Sequence, residues 1–158
     1  MARTANINPG LAVDVALTGA PELERALKNL SEVTRKKVIA TATSRALTPI
    51  RAEARRNAPV RTGALRADIS KKVKKYRSGN VWGAVGIKKH YLRTSSGHSI
   101  YMRDHPSNYV HLVEFGTVHS PARPFLRNAL RNNRGQALQI LRDTIRSAIE
   151  KARKKGLR

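Results

Sequence analysis

The sequence predicts an α+β fold: a small antiparallel sheet packed by a long N-terminal helix, with a kink expected at Pro49, and by a C-terminal helix. Three stretches lead to it. Residues 21–57 carry apolar side chains at helical spacing. "ISKKVKKYRSGNVWGAVGI" (69–87) reads as two extended runs around a turn. From "PFLRNAL" (124–130) the helical spacing returns almost to the end. At 158 residues the chain suits one core, so 1–158 is read as a single domain.

The elements follow in order. "LAVDVALTG" places Leu11, Val13, Val15 and Leu17 on one face at period two, which predicts a strand at 11–18. Pro21 suits the first turn of a helix, with Glu22 and Glu24 near its positive end. Leu23, Leu27 and Leu30 mark one face, and Ser31 is placed to cap a second segment bearing Val38, Ala42, Ala46 and Ile50. The helix is therefore expected over 21–57, in one bent piece or two, with Pro49 kinking or locally breaking it. Asn57, Pro59 and Gly63 end it. A hairpin follows at 69–87 around "RSGN", with Ile69 and Val73 inward and lysines on both faces. Residues 88–107 show no clear period and read as a long loop. "NYVHLVEF" (108–115) fits a strand or a short helix. The C-terminal helix is expected over 124–154, with Pro124 first and an interruption at Gly135.

Composition narrows the function. Lys and Arg number 32 against 10 acids, a formal net charge of +22. The excess runs through the domain: residues 61–91 alone carry nine bases and one acid. Such a chain repels itself and implies a polyanionic neighbour, either nucleic acid or an acidic protein surface. Aromatic residues are only 4% of the chain, which argues against a base-stacking surface. The absence of cysteine excludes disulfides and thiolate chemistry and fits a reducing compartment. No apolar run reaches the roughly 20 residues that span a bilayer, and the N-terminus reads as no secretory signal, so no membrane partner is expected.

The usual catalytic signatures do not appear. His90, His98, His105, His111 and His119 lack helical or zinc-site spacing, and only Asp104 and Glu114 lie near as carboxylates. No GxSxG elbow surrounds Ser95, Ser96 or Ser99, and "GNVWGAVG" lacks the glycine spacing of a dinucleotide site. No catalytic residue, metal or cofactor is expected. The lysines Lys71, Lys72, Lys74 and Lys75 have two readings: protection of an edge strand against unwanted pairing, or, with Lys88 and Lys89, a surface facing a partner.

Two constellations remain, "APVRTGALRADI" (58–69) and "VEFGTVHSPARPFLRNAL" (113–130). In this order, between a long helix and a terminal helix, they resemble the HK97 gp10-like family of tailed-phage neck and tail-completion proteins, over about residues 20–150. The matching positions are Pro59, Thr62, Gly63, Leu65 and Arg66; Glu114, Phe115, Gly116 and Thr117; and Pro124, Phe125 and Leu126. The resemblance implies a non-enzymatic virion protein, assembled in the bacterial cytoplasm. It would form a ring, expected to be of six subunits, at the head–tail junction. Its neighbours would be the connector or head-completion protein and the tail-terminator or tail-tube protein, with DNA passing through. The alternatives are a tail terminator and a free basic nucleic-acid-binding protein.

Glu114, between Val113 and Phe115, is expected to be half-buried and so to need partners. Backbone N–H groups of the Gly116 turn, Thr62, Arg61 or Arg66 are the expected donors, making Glu114 a structural clamp between the motifs. A solvated surface glutamate is the other reading. Phe125 and Leu126 read as core packing or as a subunit interface. Gly63 and Gly116 are expected in turn conformations.

Overall fold

A computed structural model describes residues 21–87, 91–93, 99–101 and 105–156. The strand expected at 11–18 lies outside them. The elements are α1 (Pro21–Lys28), α2 (Glu32–Asn57), α3 (Ala64–Asp68), β1 (Ile69–Lys75), β2 (Val81–Ile87), β3 (Tyr91–Arg93), β4 (Ser99–Tyr101), α4 (Pro106–Phe115) and α5 (Phe125–Gly156). The fold class is α+β, with a two-stranded antiparallel sheet between long N- and C-terminal helices.

The stretch 21–57 is two helices. The break falls where Ser31 caps α2: its Oγ accepts from Thr34 N and donates to Thr34 Oγ1 at 2.8 Å. α2 runs on through Pro49 without breaking. Packing holds it, because Ala46, Leu47, Ile50 and Ala54 on both sides of the proline are buried. α2 lies along α5, and the pairing is antiparallel. Leu47, Ile50 and Ala54 meet Phe125, Leu126 and Ala129, whereas Ala42 and Ala46 meet Leu141, Ile145 and Ile149. Alanines at 42, 54 and 129 are wholly buried, and their small side chains let the two helix backbones approach closely. Leu27 of α1 closes the second cluster. Polar bonds also tie the two helices: Asn132 Nδ2 donates to Glu53 Oε1 at 2.7 Å, and Asn133 donates to Glu53 Oε2.

β1 and β2 pair from Ile69↔Ile87 to Lys75↔Val81. One face of this hairpin, with Ile69, Val73 and Val85, packs on α2. Gly83 lies where strand and helix are closest: a Cβ there would fall 2.9 Å from Leu47 Cδ1 and nearer still to Thr43 Cγ2. Lys71 occupies the same inward face. Its Nζ donates to Ser44 O at 2.7 Å and to Thr48 Oγ1 at 2.8 Å. Burial and the nearby Arg51 hold its pKa below the ordinary lysine value. Lys71 is thus a bolt between sheet and helix rather than a partner-facing charge, while Lys72, Lys74 and Lys75 are exposed. Lys88 and Lys89 lie outside the described residues.

Two further expectations need correction, and the open choice at 108–115 is decided. The region 88–107 contains a short hairpin, with Tyr91–Arg93 antiparallel to Ser99–Tyr101, and its end belongs to α4. Residues 108–115 are helical. Pro106 stands at the start of that helix, and His105 Nδ1 accepts from Ser107 N at 3.1 Å. Finally, α5 passes through Gly135 unbroken and begins at Phe125, with Pro124 just before it. Position 135 is exposed with open space around it. The glycine therefore costs α5 only its intrinsic penalty of about 1 kcal/mol, which the packing on α2 outweighs.

The α2–α5 seam gives a quantitative expectation. Ile145 is wholly buried and Val33 is 64% exposed. Ile145→Ala should cost about 2–5 kcal/mol in urea unfolding, and Val33→Ala should stay within about 0.5 kcal/mol of wild type.

Candidate functional site: the Glu114 junction

The C-terminal end of α4 meets the N-terminal end of α5, and Glu114 joins them. Glu114 is 4% exposed. Oε2 accepts from Leu126 N at 3.0 Å, and Oε1 accepts from Arg127 N at 2.9 Å. Arg127 Nε donates to the same Oε1 at 3.3 Å, and its Nη2 reaches back to Glu114 O at 3.1 Å. A helix start leaves backbone N–H groups without intrahelical acceptors and carries partial positive charge. The carboxylate answers both needs with charge-assisted bonds. Phe125 N donates to Arg123 O at 2.9 Å and Asn128 N to Pro124 O at 3.3 Å, so the first turn of α5 is fully bonded.

The end of α4 is closed in the same way. Gly116 N donates to Leu112 O and Arg123 N to Val113 O, each at 2.8 Å, and Arg127 takes Glu114 O. The link between the helices is the turn 117–120, in which Thr117 N donates to Ser120 O at 2.9 Å and His119 N to Thr117 Oγ1 at 3.2 Å. Gly116 makes the reversal possible. It has φ of 78°, and a Cβ would fall 2.7 Å from Ala122 N.

The donors to Glu114 differ from those expected from the sequence. The Gly116 N–H is engaged in closing α4, and Arg61, Thr62 and Arg66 are exposed. Thr62 Oγ1 accepts from Ala64 N at 3.4 Å, and Gly63 precedes α3 with φ of 80°. From the first motif, Leu65 is buried in the core and Pro59 is half-buried. The two motif regions meet in the core, where Ala58, Leu65 and Ile69 pack with Phe125, Leu126 and Ala129, and a polar pair joins the first motif to the start of α4. His105 Nε2 lies 3.1 Å from Asp68 Oδ2, and its Nδ1 accepts from Ser107 N at 3.1 Å. Arg55 adds a tie by donating to Ile69 O and Ala67 O, each at 3.0 Å.

The two phenylalanines separate. Phe125 is 3% exposed and, with Leu126, belongs to the core shared by α2, β1 and β2. Phe115 is 58% exposed, with the Arg127 guanidinium 4.7 Å above its ring. Nothing in the sequence marks Arg127, Asp68 or Asn133 as a site residue, and His105 reads there only as one of five unclustered histidines. A helix cap supplied from 12 or 13 residues upstream has no local signature of the capping-box kind. Among the described residues no group of three metal-ligating side chains converges, and no helix is long and apolar enough to cross a membrane. His90 and His98 lie outside those residues.

Removal of the clamp should be measurable. Glu114→Ala should cost about 2–3 kcal/mol by leaving buried N–H donors unmet, and Glu114→Gln, which keeps one acceptor, about half that. Hydrogen exchange should quicken first at the Leu126 and Arg127 amides. Glu53 supplies a pH test. Hydrogen bonds from Asn132 and Asn133 hold its pKa below the ordinary 4.5. Its contribution to stability is therefore complete above that value and is lost as pH falls through the lower folded value. Glu53→Gln should flatten this part of the acid limb in pH-dependent unfolding.

Comparison with known proteins gives a family match. The family model described as "Bacteriophage HK97-gp10, putative tail-component" covers residues 21–116, more than half of the chain. No similar curated protein and no similar solved structure was found. The matched stretch includes α1 to α4, the "APVRTGALR" motif and Glu114 itself, and it stops before the turn that brings α5 back. The chain belongs to the HK97 gp10-like family of phage tail components.

Proposed function

We propose that the chain is a non-enzymatic tail-completion component of the phage neck, acting as one domain over 1–158. It assembles as a ring of six subunits between the head connector and the tail, around the channel for DNA. Family membership supports a structural role in the tail. The observation that carries the finer reading is the distribution of charge. Glu32, Glu53, Asp68 and Glu114 each have a partner inside the chain. Lys72, Lys74, Arg131, Arg134, Arg142 and Arg146 are exposed. Asp143 and Glu150 are exposed too but are too few to neutralise this surface from within, so neighbours supply the acid.

A closed ring requires heterologous contacts between copies. The remaining cationic surface then faces acidic connector, terminator or tail-tube proteins above and below. A lumen lined with lysine and arginine would hold DNA by counterion release and hinder its passage. The protein surfaces, rather than the channel, are therefore assigned most of the charge.

Electron microscopy of lysates from phage with an early nonsense codon in this gene tests the role. The expected result is DNA-filled heads and finished tails lying apart. Tails of irregular length would make the protein a terminator instead. Normally joined particles would overturn the neck reading and favour free nucleic-acid binding, which a steep loss of DNA affinity with salt would then identify.

A further inference from the structure

The Glu114 junction holds an apolar knob on the outside of the fold. Leu112 is 44%, Phe115 58% and Val118 97% exposed. Leu112 and Phe115 are three residues apart and share one face of α4. Val118 stands at the tip of the 117–120 turn that follows. The backbone beneath is fixed by the bonds that close α4 and by Arg123 N on Val113 O. Such a knob loses little freedom when it is covered. Exposed aromatic and arginine side chains on a rigid base are the composition of interface anchors.

We propose that Leu112, Phe115 and Val118 dock into an apolar socket, rimmed with acids, on another virion protein, with Arg123 and Arg127 as the cationic rim on this side. The identity of the partner as a virion protein rests on the neck reading. The chemistry of the partner rests on charge complementarity. From 105 to 135 the only acid in the sequence is Glu114, which is buried and bonded, whereas Arg123, Arg127, Arg131 and Arg134 are exposed. A second copy, whichever face it presents, carries the same excess of 32 bases over 10 acids and so supplies no acid rim without setting like charges together, which costs association free energy. A nucleic acid would satisfy the arginines but leave Leu112 and Val118 against phosphate. The Phe115 ring already has a guanidinium over one face, which leaves only the other for a base.

The test places a photo-crosslinking benzoylphenylalanine at Val118 by nonsense suppression in the phage, then analyses purified virions by mass spectrometry. The expected product joins position 118 to an acidic segment of a different virion polypeptide. A crosslink to a second copy, to DNA or within the same chain would overturn the proposal, as would none. If the chain itself is missing from virions, the neck reading fails, and the virion partner fails with it. The chain present but uncrosslinked refutes the docking surface alone. In parallel, purified Phe115→Ser, Val118→Asp and Val118→Lys proteins are added to the nonsense-codon lysate, and infectious titre is counted. Phe115→Ser and Val118→Asp should require about 30-fold more protein than wild type, as loss of an interface anchor does, with Tm unchanged. Val118→Lys should be the milder change. A large fall in Tm for Phe115→Ser, or Val118→Asp outperforming Val118→Lys, would sink the idea.

Discussion

The described fold depends on one buried carboxylate set against the start of α5. Glu114 lies near the carbonyl end of α4, where a negative charge is unfavourable, and this position is viable only because the amino end of α5 is brought against it. Leu126 N, Arg127 N and the Arg127 guanidinium together supply the donors that a buried carboxylate needs. With that start fixed, Phe125 and Leu126 enter the core beside Leu47, Ile69 and Val85. The rest of α5 then runs back along α2. Arg127 binds both the side chain and the carbonyl of Glu114, so a change at either residue disturbs two helix ends at once.

Much of this scaffold was legible in the sequence because it is periodic. The 69–87 hairpin follows from a turn between two β-compatible runs, and the helices on either side follow from apolar spacing. The less legible parts are those where two periods coexist or where the deciding partner is remote. "YVHLVEF" fits both spacings, and the choice is made by Pro106 and the His105 cap at its start. Gly135 resembles a stop signal, yet a weak local preference cannot end a helix buried along so much of its length. Lys71 looks like its lysine neighbours. The alternation of β1 puts it inward with Ile69 and Val73, and the partners that decide its role, Ser44 and Thr48, lie on a remote helix.

The need of Glu114 for partners could be read from its apolar flanks, but their identity could not. Sequence reasoning points to nearby donors, such as the Gly116 N–H, or to arginines in the other motif. The chain uses neither, because the return from Gly116 to Arg123 brings a whole helix start into reach. The family model ends at Gly116, between the carboxylate and its donors. The clamp therefore spans the boundary of the matched region, which is why the motif 113–130 has to be understood as one device rather than as two short patterns.

Phe115 and Phe125 show how that device divides the chain between stability and recognition. They are the only phenylalanines in the sequence, ten positions apart, and the turn between them sends one into the core and leaves the other outside. Were Phe115 needed for packing, α4 would have to roll inward, and Glu114, its immediate neighbour, would swing away from Leu126 N and Arg127 N. The geometry that buries the carboxylate therefore also exposes the ring. Arg127 moderates this exposure by covering one face of Phe115 while remaining bonded to Glu114. A surface built this way keeps its shape before any partner arrives. Its apolar centre is tied, through one arginine, to the same interaction that orders the C-terminal helix.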